Sequence, residues 1–124
     1  MWKILCVSSD CDVRSEIEKL EQHNAFYRVK CISTVDELVL AAVTETFDMF
    51  VLDSSISGDP ISVLCRAVRA SDEDAVIVSL SENEDHRHQA LDAGADLSLK
   101  LPNELKLLAS KIDDLLDFAT SSVH

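Results

Sequence analysis

The sequence predicts an α/β fold: a doubly wound, five-stranded parallel sheet in the order 2-1-3-4-5 with helices on both faces. Three observations predict it. Short unbroken apolar runs, among them Ile4–Val7, Met49–Leu52 and Ala75–Val78, are too brief for helices and suit strands buried on both faces. Between them lie stretches whose apolar residues recur every three or four positions, the period of an amphipathic helix. The two kinds of segment alternate strictly along 124 residues, and strict βα alternation implies parallel strands joined by right-handed crossovers.

In chain order, Ile4 to Val7 is the first strand, closed by Ser8-Ser9-Asp10. Val13, Ile17 and Leu20 then give a helix from about Asp12 to Gln22. From Phe26 to Ile32, Tyr27, Val29 and Cys31 alternate with Arg28 and Lys30, as suits a less buried edge strand. Thr34 with Glu37 three residues on is a capping-box signal, and Leu38, Ala41 and Ala42 supply the stripe of a second helix. The third strand, Met49 to Leu52, ends in Asp53. After the loop Ser54 to Gly58, Asp59-Pro60 reads as an N-cap and first helical residue before Ile61, Leu64, Cys65 and Val68. A fourth strand, Ala75 to Leu80, ends in Ser81. A fourth helix runs from roughly Asp85 to Ala93 on a thin stripe of Ala90, Leu91 and Ala93, with Gly94 as its stop. Leu97, Leu99 and Leu101 make a fifth strand ended by Pro102, and Leu105, Leu108, Ile112, Leu115 and Phe118 a fifth helix. Residues 1–119 are expected to form one domain, with 120–124 a polar tail.

Composition narrows the function. Eleven basic against 23 acidic side chains give a formal charge of −12, which repels nucleic acid and anionic membranes and favours basic protein partners or cations. The first residues run straight into a strand with no leader pattern, and no apolar run is long enough for a membrane span, so a cytoplasmic protein is expected. The four cysteines show no Cys-x-x-Cys spacing. They read as small buried hydrophobes, with Cys11 as the one redox exception. His86 and His88 would point apart on a helix and read as surface residues. Gly58 and Gly94 are the only glycines; with no glycine-rich phosphate loop and no nucleophile elbow, no organic cofactor and no enzyme is indicated.

Asp53 stands out, because open α/β sheets place their chemistry at the carboxyl ends of central strands. Its neighbours there would be Ser8-Ser9-Asp10, Ser81 and the Lys100-Leu101-Pro102 corner. The plain reading of Asp53 is a strand-ending acid that caps a loop. Ser8 and Ser9 read as loop hydroxyls bonding local backbone, and Asp10 as an N-cap of the first helix or a lone metal ligand.

Phe47-Asp48-Met49-Phe50-Val51-Leu52-Asp53, Leu64-Cys65-Arg66 with Val68-Arg69, and Ala93-Gly94-Ala95-Asp96, in this order and spacing, resemble a response-regulator receiver domain from about Lys3 to Phe118. The resemblance implies a flavodoxin-like (βα)5 fold and phosphorelay signalling, with Asp53 the phosphoacceptor and Ser81 the phosphoryl-contacting hydroxyl. It also implies a Mg2+ ion, held weakly by Asp53, Asp10, Ser9 and the Ser55 backbone carbonyl. The chain departs from the pattern at several places, among them Ile61 or Pro60 for a usual glycine and Ser57 for a loop proline. Ser8 and Ser9 stand where the family has an acid pair, Leu101 stands at its lysine, Ser98 at its switch aromatic, and Lys100 is a displaced lysine one residue early. Two expectations follow: a stand-alone, atypical receiver phosphorylated weakly on Asp53, or a pseudo-receiver acting by protein contacts without phosphorylation. The partner would be a histidine kinase or other signalling protein docking on the helix 4/strand 5/helix 5 face, and the chain a monomer or weak homodimer.

Overall fold

The computed structural model describes residues 2–23, 26–53, 61–101 and 103–121, without the side chains of 23 and 116–121. Five parallel strands, β1 (Trp2–Val7), β2 (Tyr27–Ile32), β3 (Met49–Asp53), β4 (Val76–Ser81) and β5 (Leu97–Lys100), lie in the order β2-β1-β3-β4-β5. They alternate with helices α1 (Cys11–His23), α2 (Val35–Thr44), α3 (Ile61–Ser71), α4 (Glu84–Asp92) and α5 (Leu108–Ser121). The architecture is the one the sequence pattern predicts. Every residue of β3 is buried, as expected of a central strand, whereas β2 at the edge exposes Arg28 and Lys30.

Alternation along the strands divides the core in two. Leu5, Val7, Phe50, Leu52 and Ile77 face α2, α3 and α4, whose Leu38, Leu64, Val68 and Ala90 complete that layer. Ile4, Cys6, Met49, Val51, Val78 and Leu80 face the other side and pack with Val13, Ile17 and Leu20 of α1 and Leu108 and Ile112 of α5. Each fully buried aliphatic side chain contributes about 1.5–3 kcal/mol, so the two layers supply most of the drive to fold.

Local signals set the helix ends. Thr34 caps α2: its hydroxyl accepts from the Glu37 N–H at 3.2 Å and donates to the Glu37 carboxylate at 3.0 Å. Asn83, unmarked in the sequence reading, caps α4 through the His86 N–H at 2.9 Å. Gly94 takes φ of +111° after α4, a conformation that favours glycine.

Several expectations need correction. Leu91 is exposed; α4 buries only Ala90, with Ala93 just past its end, because so short a helix turns little of its circumference to the sheet. Leu101 lies beyond β5 in the turn, and Leu105–Leu107 form a single 3-10 turn ahead of α5. His86 is half buried, with an Nδ1 that has no hydrogen-bond partner, while His88 is exposed. Cys6 and Cys65 are buried, but Cys31 is only half buried on the edge strand. The expected loop Ser54 to Gly58, the Asp59-Pro60 cap and Pro102 lie outside the described residues. Among the described residues no helix is long and apolar enough to cross a membrane.

Candidate functional site

The register β1–β3–β4–β5 brings together the strand ends that the sequence pattern pointed to. Val7 pairs with Leu52, Asp53 with Leu80, and Ser81 with Lys100. Asp53 closes β3 and is completely buried. A carboxylate in that position must be hydrogen-bonded to be tolerated, and Ser8, also completely buried at the end of β1, donates its hydroxyl to Asp53 Oδ2 at 2.7 Å.

Ser8 is itself fixed from two sides. Its N–H donates to Ile32 O at 2.9 Å, and its Oγ accepts from the Asp10 N–H at 3.0 Å. The hydroxyl is thus aimed at Asp53 by backbone geometry. The sequence reading assigned Ser8 a local backbone role and missed this long-range one. The signal was present, since the order 2-1-3 already places the end of β1 beside the end of β3.

Of the neighbouring candidates, Asp10 and Ser81 have other partners. Asp10 is the N-cap of α1: its carboxylate accepts from Asp12 N–H at 2.8 Å and its carbonyl from Arg14 N–H at 3.1 Å. Ser9 is exposed. Ser55 lies outside the described residues. Ser81 is buried, and its hydroxyl joins those of Ser79 at 3.1 Å and Ser98 at 3.5 Å. The three buried hydroxyls form one row across β4 and β5.

Lys100 is drawn to glutamates. Its ammonium lies 3.7 Å from Glu84 at the start of α4, and its backbone N–H donates to the Glu104 carboxylate at 2.8 Å. The β4–β5 pairing continues regularly to Lys100, so no bulge re-aims it. Leu101 is buried in the α1/α5 layer, held by its N–H to Ser81 O at 2.8 Å. The position that the resemblance gives to a lysine is a closed apolar wall.

Among the described residues this donor set is short of carboxylates for Mg2+. A hard divalent cation takes several oxygen ligands and draws on more than one carboxylate to offset its charge. Here Ser8 occupies Asp53 Oδ2, Asp10 is turned to cap a helix, and among the described residues no group of three or more acidic, histidine or cysteine side chains is poised to hold a metal. Of the expected weak ligand set, Asp10 caps α1 and Ser9 is exposed, while Ser55 lies outside the described residues.

The fold is that of response-regulator receiver domains. No family model and no curated protein sequence matches the chain, but its structure superposes closely on solved receivers. It resembles the response regulator DrrB of Thermotoga maritima, an OmpR/PhoB homologue, with a TM-score of 0.82 and 21% identity over 96% of this chain. The chain spans about half, 54%, of that protein. A CheY-like receiver domain protein from Methanospirillum hungatei matches with a TM-score of 0.84 and 18% identity over 98% of both chains. The receiver domain of a Pseudomonas aeruginosa sensor histidine kinase, with a magnesium ion coordinated in its active site cleft, gives 0.70 and 22% identity over 89% of this chain and 95% of that one.

Proposed function

We propose that this chain is a receiver module of two-component signalling that works through protein contacts, without metal-assisted phosphoryl transfer to Asp53. The observation that carries this reading is the buried Ser8–Asp53 hydrogen bond of 2.7 Å. A hydroxyl stabilises a buried carboxylate locally but supplies no charge to neutralise an arriving phosphoryl group, which phosphoryl transfer requires. The apolar wall at Leu101 and the pairing of Lys100 with Glu84 support the same conclusion. Asp53 then acts as a fixed acceptor that ties β3 to β1.

In this reading residues 1–119 form the receiver unit, and 120–124 follow it from the last residues of α5. The partner is a histidine kinase or another signalling protein, docking on the face of α4, β5 and α5. The net charge of −12 favours basic protein surfaces over nucleic acid or anionic membranes, and residence in the cytoplasm and action as a monomer or weak homodimer belong to the same reading. The chain is read as a binding module and not as an enzyme.

Incubation with a small acyl phosphate and Mg2+, followed by intact mass measurement, tests the proposal. The expected result is an unmodified chain at every Mg2+ concentration. An added phosphoryl group that disappears in Asp53→Asn would overturn it in favour of a retained phosphoacceptor. Replacing Ser8→Asp, Ser9→Asp and Leu101→Lys together is expected to bring Mg2+-dependent labelling of Asp53.

A further inference from the structure

Cys6 of β1 and Cys31 of β2 are direct lateral partners in the parallel ladder. Both lie on the side of the sheet covered by α1, Cys6 within that core layer and Cys31 packed against it. Laterally paired residues on neighbouring strands have Cα atoms about 4.8 Å apart, inside the roughly 4.4–6.8 Å that a disulfide spans. Register and shared face therefore set their side chains next to each other. We propose that Cys6 and Cys31 are a redox-active dithiol that a hydroperoxide converts to an intramolecular disulfide, Cys31 attacking and Cys6 resolving.

Their environments divide the roles. Cys6 is completely buried, whereas Cys31 is half buried at the sheet edge, where a small oxidant can arrive. The groups acting on Cys31 are Cys6 from β1 and Arg14 and Glu18 from α1. The Cys6 hydrogen bond, aided by Arg14, lowers the Cys31 pKa to about 7 against the opposing effects of burial and Glu18. The Cys6 thiol is pushed up by its hydrogen bond to Cys31 and by burial. These effects favour the thiolate at Cys31, the form that attacks peroxides.

The chemistry balances in two steps. The Cys31 thiolate attacks one peroxide oxygen and the O–O bond breaks; the departing oxygen takes a proton and leaves as water or alcohol, and Cys31 becomes a sulfenic acid. Cys6 then loses its proton, and its sulfur attacks that of Cys31. Hydroxide is expelled, takes a proton and leaves as water, so two thiols have lost two hydrogens and the peroxide has been reduced. The preferred disulfide Cβ separation, about 3.8 Å, is shorter than the strand spacing of about 4.8 Å. The strands must draw together, which makes the bond readily reducible.

The other two cysteines serve as internal controls. Cys65 lies in the opposite core layer with its thiol pushed up to about 11 by burial, and Cys11 is exposed at the start of α1. The full chain, carrying Cys11→Ser and Cys65→Ala, is exposed to hydrogen peroxide, blocked with a maleimide, digested and weighed. The expected product is a Cys6–Cys31 cross-linked peptide that dithiothreitol releases. Two free thiols, Cys31 oxidised without the cross-link, or a cross-link between two chains would each overturn the proposal. In Cys6→Ala, oxidation is expected to stop at a Cys31 sulfenic acid trapped by dimedone; no trapped product would count against it. Because that variant opens a cavity, alkylation of Cys31 in the unsubstituted protein is a second readout. Its rate should rise at a pH below the ordinary thiol value of about 8.5, and an inflection at or above that value would also overturn the assignment.

Discussion

The crevice at Asp53 and the turn around Gly94 lie at opposite ends of the parallel sheet, and they treat charge in opposite ways. At the Gly94 end, Arg69 of α3 donates to Glu73 O at 2.8 Å, Ala75 O at 2.6 Å, Gly94 O at 2.6 Å and Asp96 Oδ2 at 3.2 Å. Asp96 Oδ2 also accepts from Ile77 N–H at 2.8 Å. One guanidinium thus joins the end of α3, the start of β4 and the turn into β5. At the Asp53 end, the buried carboxylate has a serine hydroxyl as a partner, and the nearby lysine is paired with Glu84. At the braced end a guanidinium gathers several carbonyls and a carboxylate, while in the crevice a hydroxyl donates to the buried carboxylate and the nearby lysine turns to a glutamate.

The largest expected effect lies at the braced end. Arg69→Ala removes a charged donor from several carbonyls at once, and charge-assisted hydrogen bonds contribute about 1.5–3 kcal/mol each before relaxation. A loss of about 3 kcal/mol in urea unfolding is expected; a loss under about 1 kcal/mol would show that water replaces the network freely and that the contrast is overstated. Gly94 belongs to the same node, since a Cβ there would sit 3.4 Å from Arg69 Nε at φ of +111°.

A smaller effect is expected at the crevice. A double-mutant cycle of Ser8→Ala with Asp53→Asn isolates their coupling, and a buried hydrogen bond to a carboxylate should give about 1.5–3 kcal/mol. Coupling indistinguishable from zero would mean that Ser8 does not hold Asp53, and with it the main support for a structural aspartate would go. The smallest effect is at the rim. Lys100→Ala breaks an ion pair whose side chains are 42% and 52% exposed, and such pairs contribute about 0–1 kcal/mol. Little change in melting temperature is expected, and a marked increase in stability would reveal a strained corner at Lys100 and Glu104.

Much of this architecture was legible in the sequence because each strand and helix is marked by a local period. Asp53 could be placed from its neighbours alone, as an acid ending a fully apolar run. Thr34 and Gly94 were legible for the same reason: a cap and a helix stop act within one turn of chain. The errors fell where the outcome depends on what lies opposite. Leu91 matched the helical period but found no sheet beneath it, and Cys31 matched the strand alternation but lies on an edge where one side remains partly open.

The sequence by itself therefore determined the order and kind of the elements, the strand order they imply and the address of the acid. Tertiary structure decided what those residues bond to. Ser8 meets Asp53 across 45 positions of chain, Lys100 turns to Glu84, and Cys6 falls opposite Cys31. Periodicity fixes which face a side chain takes, but lateral register is set by how all the strands and helices pack together, and hydrogen-bond partners follow from that register.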